Sequence, residues 1–149
     1  MRAYSGEKLC NGCFTKSIED RVKSTIAKNK MLKPDDKIAV AVSGGKDSVT
    51  LLKILAKFEK LFPKASLCAV TVDEGIRGYR PSSIRVAARH CRDIGVEHHV
   101  VSFRDMFGLD LDSTRGNWGK ISPCTYCGVL RRYCINREAR ELGAGLLAT

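Results

Sequence analysis

Residues 38–48 read Ile-Ala-Val-Ala-Val-Ser-Gly-Gly-Lys-Asp-Ser, and this stretch decides the fold. Ile38–Val42 is short, apolar and rich in β-branched residues, the composition of a strand buried on both faces. Ser43–Asp47 is a loop. A helix is predicted to start near Ser48, with Leu51, Leu52, Leu55 and Phe58 as its buried face. A buried strand, a glycine turn and a helix in succession aim backbone N–H groups at whatever sits above the turn.

Working outward, the same alternation repeats. Leu67–Val72 is a second apolar strand and Val96–Val101 a third. Between them Pro81 suits the first turn of a helix whose stripe is Ile84, Ala87, Cys91 and Ile94, with Gly95 closing it. Pro123 opens a long helix to Leu142, stopped by Gly143, and Leu146–Ala148 begins a fourth strand. Strands alternating with helices predict right-handed crossovers, hence an α/β, Rossmann-like parallel sheet with flanking helices. Upstream, Ile18, Val22 and Ile26 recur every fourth residue, marking an amphipathic helix that ends before Pro34. The division expected is a small appendage at 1–33 and the main domain at 34–149. Because the chain stops inside its fourth apolar run, it is expected to be a truncated form whose domain lacks its C-terminal part.

With 149 residues, 44% hydrophobic and 28% charged, the composition is that of one globular domain rather than a disordered or fibrous chain. No apolar run reaches the roughly 20 residues of a membrane-spanning helix, and no secretory core opens the sequence. These features predict a cytoplasmic protein. Lys and Arg number 26 against 16 Asp and Glu, a formal charge of +10, which favours polyanionic partners over a merely solvated basic surface. Seven cysteines, an odd count with four in C-x-x-C pairs, argue for metal or redox chemistry over a disulfide framework.

The loop is built for phosphate. Gly44 and Gly45 allow positive φ and close approach of the backbone to an anion. The helix behind it adds free N–H groups and the positive end of its dipole. Lys46 adds a full charge, and the Ser43 and Ser48 hydroxyls are further donors. Asp47 would repel phosphate unless it holds Mg²⁺ or orients another group, which points to a metal-bound nucleotide. Val40 and Asp47 occupy the positions where a Walker A loop needs Gly and Ser or Thr, and no G-x-G-x-x-G occurs. The plain alternative is a glycine turn without a ligand.

Cys124 and Cys127 lie three apart at the start of the last helix, on one face, where the helix N-terminus lowers a thiol pKa. Arg131 shares their stripe. Such a thiolate pair suits a metal, with a redox pair or half a zinc site as readings left open. Cys134 is on the same stripe but about 10 Å further along the axis, so it reads as core. Cys68 and Cys91 read as small core hydrophobes. Cys10 and Cys13 offer two of the four ligands of a zinc site. His90, His98 and His99 show no ligand spacing, and packing is the better reading for the pair in the strand.

Ser43–Ser48 after a buried strand resembles the PP-loop of the N-type ATP pyrophosphatases. Residues 73–80, Asp-Glu-Gly-Ile-Arg-Gly-Tyr-Arg, are similar to the D-E-G-I-x-G-Y-R signature of that superfamily's tRNA 2-thiouridine synthetase branch. Residues 123–132, Pro-Cys-Thr-Tyr-Cys-Gly-Val-Leu-Arg-Arg, resemble its P-C-x-x-C-G-x-x-R/K segment. The resemblance covers nearly the whole chain and corresponds to an N-terminal portion.

It implies an adenine nucleotide α-hydrolase-like fold that cleaves Mg–ATP between the α and β phosphates. ATP contacts are implied at Ala41, Val42, Ser43, Gly44, Gly45, Lys46, Asp47 and Ser48, and at Thr71, Val72, Asp73 and Ile76. Cys124 and Cys127, with a third cysteine from a later helix, are implied ligands of a 4Fe–4S cluster with one open iron. Asp47, Cys124, Cys127 and Arg131 are the implied catalytic set. Cys10 and Cys13 resemble the second half of an N-terminal zinc finger. The activity implied is adenylation of a tRNA uridine at carbon 2, then sulfur transfer giving 2-thiouridine. Alternatives are 2-thiocytidine or lysidine synthesis, or a basic RNA-binding module without catalysis. A ubiquitin-like sulfur carrier and a homodimer are implied partners. The family's later G-H-N-x-D-D-E segment does not occur here, so this chain alone is expected to be inactive. Basic residues in 16–30, 77–92 and 115–140, with Tyr79, Tyr126 and Trp118 for stacking, are the implied tRNA surface.

Overall fold

A computed structural model describes residues 6, 8–114 and 122–149 of the chain. Two compact units divide it, Met1–Lys33 and Pro34–Thr149. The first contains helix α1 (Asn11–Lys28), capped by Cys10, whose thiol accepts from the Cys13 amide. The helix starts well ahead of its Ile18–Ile26 stripe, because that cap satisfies an amide the apolar periodicity cannot reveal.

In the second unit the elements are β1 (Lys37–Ala41), α2 (Lys46–Glu59), β2 (Ser66–Asp73), α3 (Arg80–Ile94), β3 (Glu97–Ser102), α4 (Phe103–Phe107), α5 (Pro123–Glu141) and β4 (Leu146–Ala148). All strand pairs are parallel, in the order β3-β2-β1-β4. The expected parallel α/β sheet is therefore present. From β1 the sheet grows first toward β3 and then back to β4. Right-handed crossovers then put α2 and α3 on one face and α5 on the other. The reversal of direction lies at the carboxyl end of β1, where open α/β sheets hold their ligands.

Alternation along the strands divides the core. Val72, Phe103, Leu111, Cys127, Cys134 and Ile135 form a buried cluster beneath α5 and α4, joined by Ala41, Val101 and Leu147. Ala39, Cys68, Val70 and Ala139 extend it toward the other end of the strands. Val49, Leu52, Ile54, Leu55 and Ala56 are the buried residues of α2, and Ala87 and Cys91 those of α3. Of the stripes expected, Leu51, Phe58, Ile84 and Ile94 are only half-buried. Helix α2 begins two residues ahead of Ser48, since Gly45 takes the extended N-cap conformation and the first turn is polar. Gly95 and Gly143 close α3 and α5 with positive φ, as their positions predict.

Candidate active site at the carboxyl ends of the strands

The loop after β1 is shaped by its own hydroxyls. Ser48 Oγ donates to the Gly45 carbonyl at 3.0 Å, accepts from the Ser43 amide at 3.1 Å and lies 3.0 Å from Ser43 Oγ. Ser43 Oγ in turn accepts from the Gly45 amide at 3.3 Å. Ser43 and Ser48, expected as phosphate donors, thus hold the turn open. The amides of Lys46, Asp47 and Ser48 occupy the first helical positions, where no intrahelical acceptor exists. Lys46 and Asp47 are exposed and form no ion pair among the described residues. Gly44 has φ of 85°, and a Cβ there would come within 2.2 Å of the Ser83 carbonyl oxygen. Only glycine lets the loop rest on the first turn of α3.

Under the loop, Thr71 is buried at the end of β2. Its hydroxyl donates to the Val42 carbonyl at 2.6 Å, so it must accept from His98 Nε2, 2.8 Å away. That fixes the imidazole tautomer, and burial, followed by the neighbouring His99, pushes the His98 pKa down. The packing role expected for this histidine therefore carries a hydrogen bond. The Val72 carbonyl accepts from Arg80 Nε at 2.6 Å and also from Nη2. Asp73 Oδ1 accepts from the Gly75 amide at 2.9 Å. Asp73 and Ile76 both line a cleft of about 300 Å³ with Gly75, Arg77, Pro81, Ser102, Arg104 and Asp110.

Glu74, next along the chain, is 1% exposed. Its Oε2 lies 2.6 Å from Arg80 Nε, and its Oε1 accepts from Arg131 Nε at 2.6 Å. Arg80 is also buried, and its Nη1 donates to the Ser43 carbonyl at 3.3 Å. Arg131 Nη2 lies 3.4 Å from Cys127 Sγ. One carboxylate between two guanidiniums thus joins the glycine loop to the cysteine helix.

Helix α5 is capped by Ser122, whose hydroxyl accepts from the Thr125 amide, and Pro123 follows in the first turn. Cys124 is exposed and Cys127 buried, so the two thiols differ in access. The expected lowering of the thiol pKa is corrected for Cys127. Burial pushes it up, and Arg131, which lowers it, does not prevail. Cys134 is fully buried with its pKa pushed up to about 11 by burial, a core residue as expected. Cys68 and Cys91 are buried too, with desolvation raising both thiols. Among the described residues, no three His, Cys, Asp or Glu side chains converge as a metal site.

In the first unit Cys10 and Cys13 are both exposed. The Cys13 amide, donating to Cys10 Sγ at 3.4 Å, lowers the Cys10 pKa. Tyr79 is exposed at the N-terminus of α3. Trp118 and the basic residues Arg115 and Lys120 lie outside the described residues.

A strand, a two-glycine turn and a helix with unclaimed amides sit at the reversal of a parallel sheet. The PP-loop domain family matches residues 14–118. The chain belongs to the PP-loop family. Its similarity to particular members runs almost end to end. Cytoplasmic tRNA 2-thiolation protein 1 of Anopheles gambiae is 34% identical, over 99% of this chain and 44% of its own length. A probable sulfurtransferase of Methanocaldococcus jannaschii is 36% identical, over 97% of this chain and 44% of its own. Among solved structures, the U34-tRNA thiolase NcsA of Methanococcus maripaludis, with its 4Fe–4S cluster, superposes with a TM-score of 0.85 at 36% identity. That superposition takes in 96% of this chain and 47% of the other. The NH3-dependent NAD synthetase of Campylobacter jejuni shares the fold at 13% identity, with a TM-score of 0.63 over 89% of this chain and 55% of its own. The chain spans under half the length of the thiolation relatives it matches.

Two residues that join the loop to the cysteine helix escaped sequence reasoning. Glu74 and Arg80 both lie in the 73–80 signature, yet nothing local separates them from an ordinary polar loop. The available signal was the pairing of an acidic and a basic residue six apart around two glycines, which becomes an ion pair only once the turn folds back.

Proposed function

We propose that this chain forms the nucleotide- and sulfur-handling portion of a cytoplasmic tRNA 2-thiolation enzyme, which adenylates a uridine at carbon 2 and exchanges AMP for sulfur. The observation that carries this reading is the Ser43–Arg80–Glu74–Arg131–Cys127 connection, buried at Arg80, Glu74 and Cys127, which sets the anion loop and the cysteine helix on one network. Relatives at 34–36% identity are named as a tRNA 2-thiolation protein and as a U34-tRNA thiolase. No helix among the described residues is long and apolar enough to cross a membrane.

The unclaimed amides at the start of α2 and the Lys46 ammonium bind the β and γ phosphates, and Asp47 takes Mg²⁺. Gripping the diphosphate stabilises it as a leaving group while the uridine oxygen bonds to the α-phosphorus. Val42, Thr71, Val72, Asp73 and Ile76 offer the nucleoside its floor, with Val72 contributing through groups other than its carbonyl. Cys124 and Cys127 fit a cluster's donor set in residue type and shared helix face. Bound there, the cluster would supply sulfur as a nucleophile. Arg131 stabilises negative charge beside Cys127. Basic helices carry the tRNA, with a homodimer and a ubiquitin-like sulfur carrier as partners, and Cys10 and Cys13 supply two zinc ligands.

The test is thionucleoside analysis of unmodified tRNA incubated anaerobically with ATP, sulfide and the reconstituted full-length enzyme. The expected product is 2-thiouridine, lost on substitution of Lys46 or Cys127. Thiolated cytidine, lysidine, or RNA binding without Mg–ATP binding would contradict the reading.

A further inference from the structure

We propose that Glu74 is a positioning residue that couples occupancy of the phosphate loop to the exposure of Cys127, an inference that rests on the nucleotide reading above and extends it. A carboxylate 1% exposed is costly to bury, and an apolar side chain of similar volume would serve stability as well. What Glu74 does that an apolar residue cannot is hold two guanidiniums at once. Arg131 Nε donates to Oε1, while Oε2 meets Arg80 Nε at 2.6 Å without hydrogen-bond alignment and has no hydrogen-bond partner among the described residues.

The two arginines lead in opposite directions. Arg80 reaches Ser43 in the loop through Nη1, and also Ser83 Oγ at 3.3 Å, on the turn of α3 against which Gly44 rests. Loop and α3 must therefore shift together. Arg131 reaches Cys127 Sγ, and its side chain, 47% exposed, has room to move. Cys127 itself is 6% exposed, so a reagent reaches its thiol only when α5 opens locally. Filling the loop immobilises Ser43 and Arg80. Through Glu74 this steadies Arg131 over Cys127 and slows that opening. The Arg80 joint, ionic but misaligned, is where the connection gives when the loop is empty.

The test uses the 149-residue chain. Iodoacetamide labelling of each cysteine is timed by mass spectrometry with and without Mg–ATP, and nucleotide binding is followed in parallel by calorimetry. Mg–ATP is expected to slow Cys127 labelling about fivefold or more, the lower end of ordinary coupling between sites, and to leave Cys10 unchanged. Glu74→Gln should abolish the slowing while retaining Mg–ATP binding. Should that variant not fold, Arg131→Gln cuts the connection at its exposed end and should give the same result. Binding of Mg–ATP without slowing at Cys127 in the wild type, or with equal slowing in either folded variant, overturns the coupling and leaves the nucleotide reading standing. Absence of Mg–ATP binding in the wild type overturns both.

Discussion

Gly44 and His98 show how single residues set the loop. At Gly44 a positive φ coincides with close approach to the Ser83 carbonyl. Gly44→Ala should therefore cost roughly 1–3 kcal/mol, the scale of local backbone strain, seen as a lower urea midpoint. An unchanged midpoint would mean that the loop does not rest on α3. His98 gives a pH dependence whose sign is fixed. Its folded pKa is depressed below the ordinary value of about 6.5 by burial, so the unfolded chain binds the proton more readily. Its contribution to stability is fully present above that ordinary value and is lost as pH falls through the folded one. Thermal melts from neutral to mildly acidic pH should show this loss, reduced in His98→Gln. The hydrogen bond to Thr71 was invisible in sequence because it needs β2 and β3 in register, whereas the glycine pair announced itself through its neighbours in the chain.

At the scale of elements, the signals that were legible were local ones. β1 and β2 appeared as apolar runs because both faces of the sheet are covered, and α3 and α5 carried Pro and Gly at their ends. Helix α4 was not anticipated. It has five residues, too few for periodicity, and is started by the Ser102 hydroxyl accepting from the Asp105 amide. β3 also runs one residue later than its apolar run suggested, ending at Ser102 where it pairs with Asp73. The cysteine helix allows a direct test of capping. Ser122→Ala removes the acceptor of the Thr125 amide and should cost about 1 kcal/mol, measured by chemical denaturation. It should also raise hydrogen exchange in the first turn, where Cys124 lies. An undisturbed first turn would assign its order to contacts other than the cap.

For the molecule as a whole, topology does what no stretch of sequence states. Residues 43, 74, 80, 127 and 131 are drawn into one network only because β1 and β2 are neighbours and α5 crosses back over them. The motifs revealed the chemistry of each piece, and the sheet order brings the pieces together. The central claim is that the loop at the carboxyl end of β1 grips the diphosphate of a nucleotide. It is tested most directly by following backbone amide resonances of the chain during titration with Mg–diphosphate. The largest shifts should fall on Gly44, Lys46, Asp47 and Ser48, with Arg131 and Cys127 responding through Glu74. Shifts confined to the basic faces of α1 and α3, with the loop amides unmoved, would contradict the account.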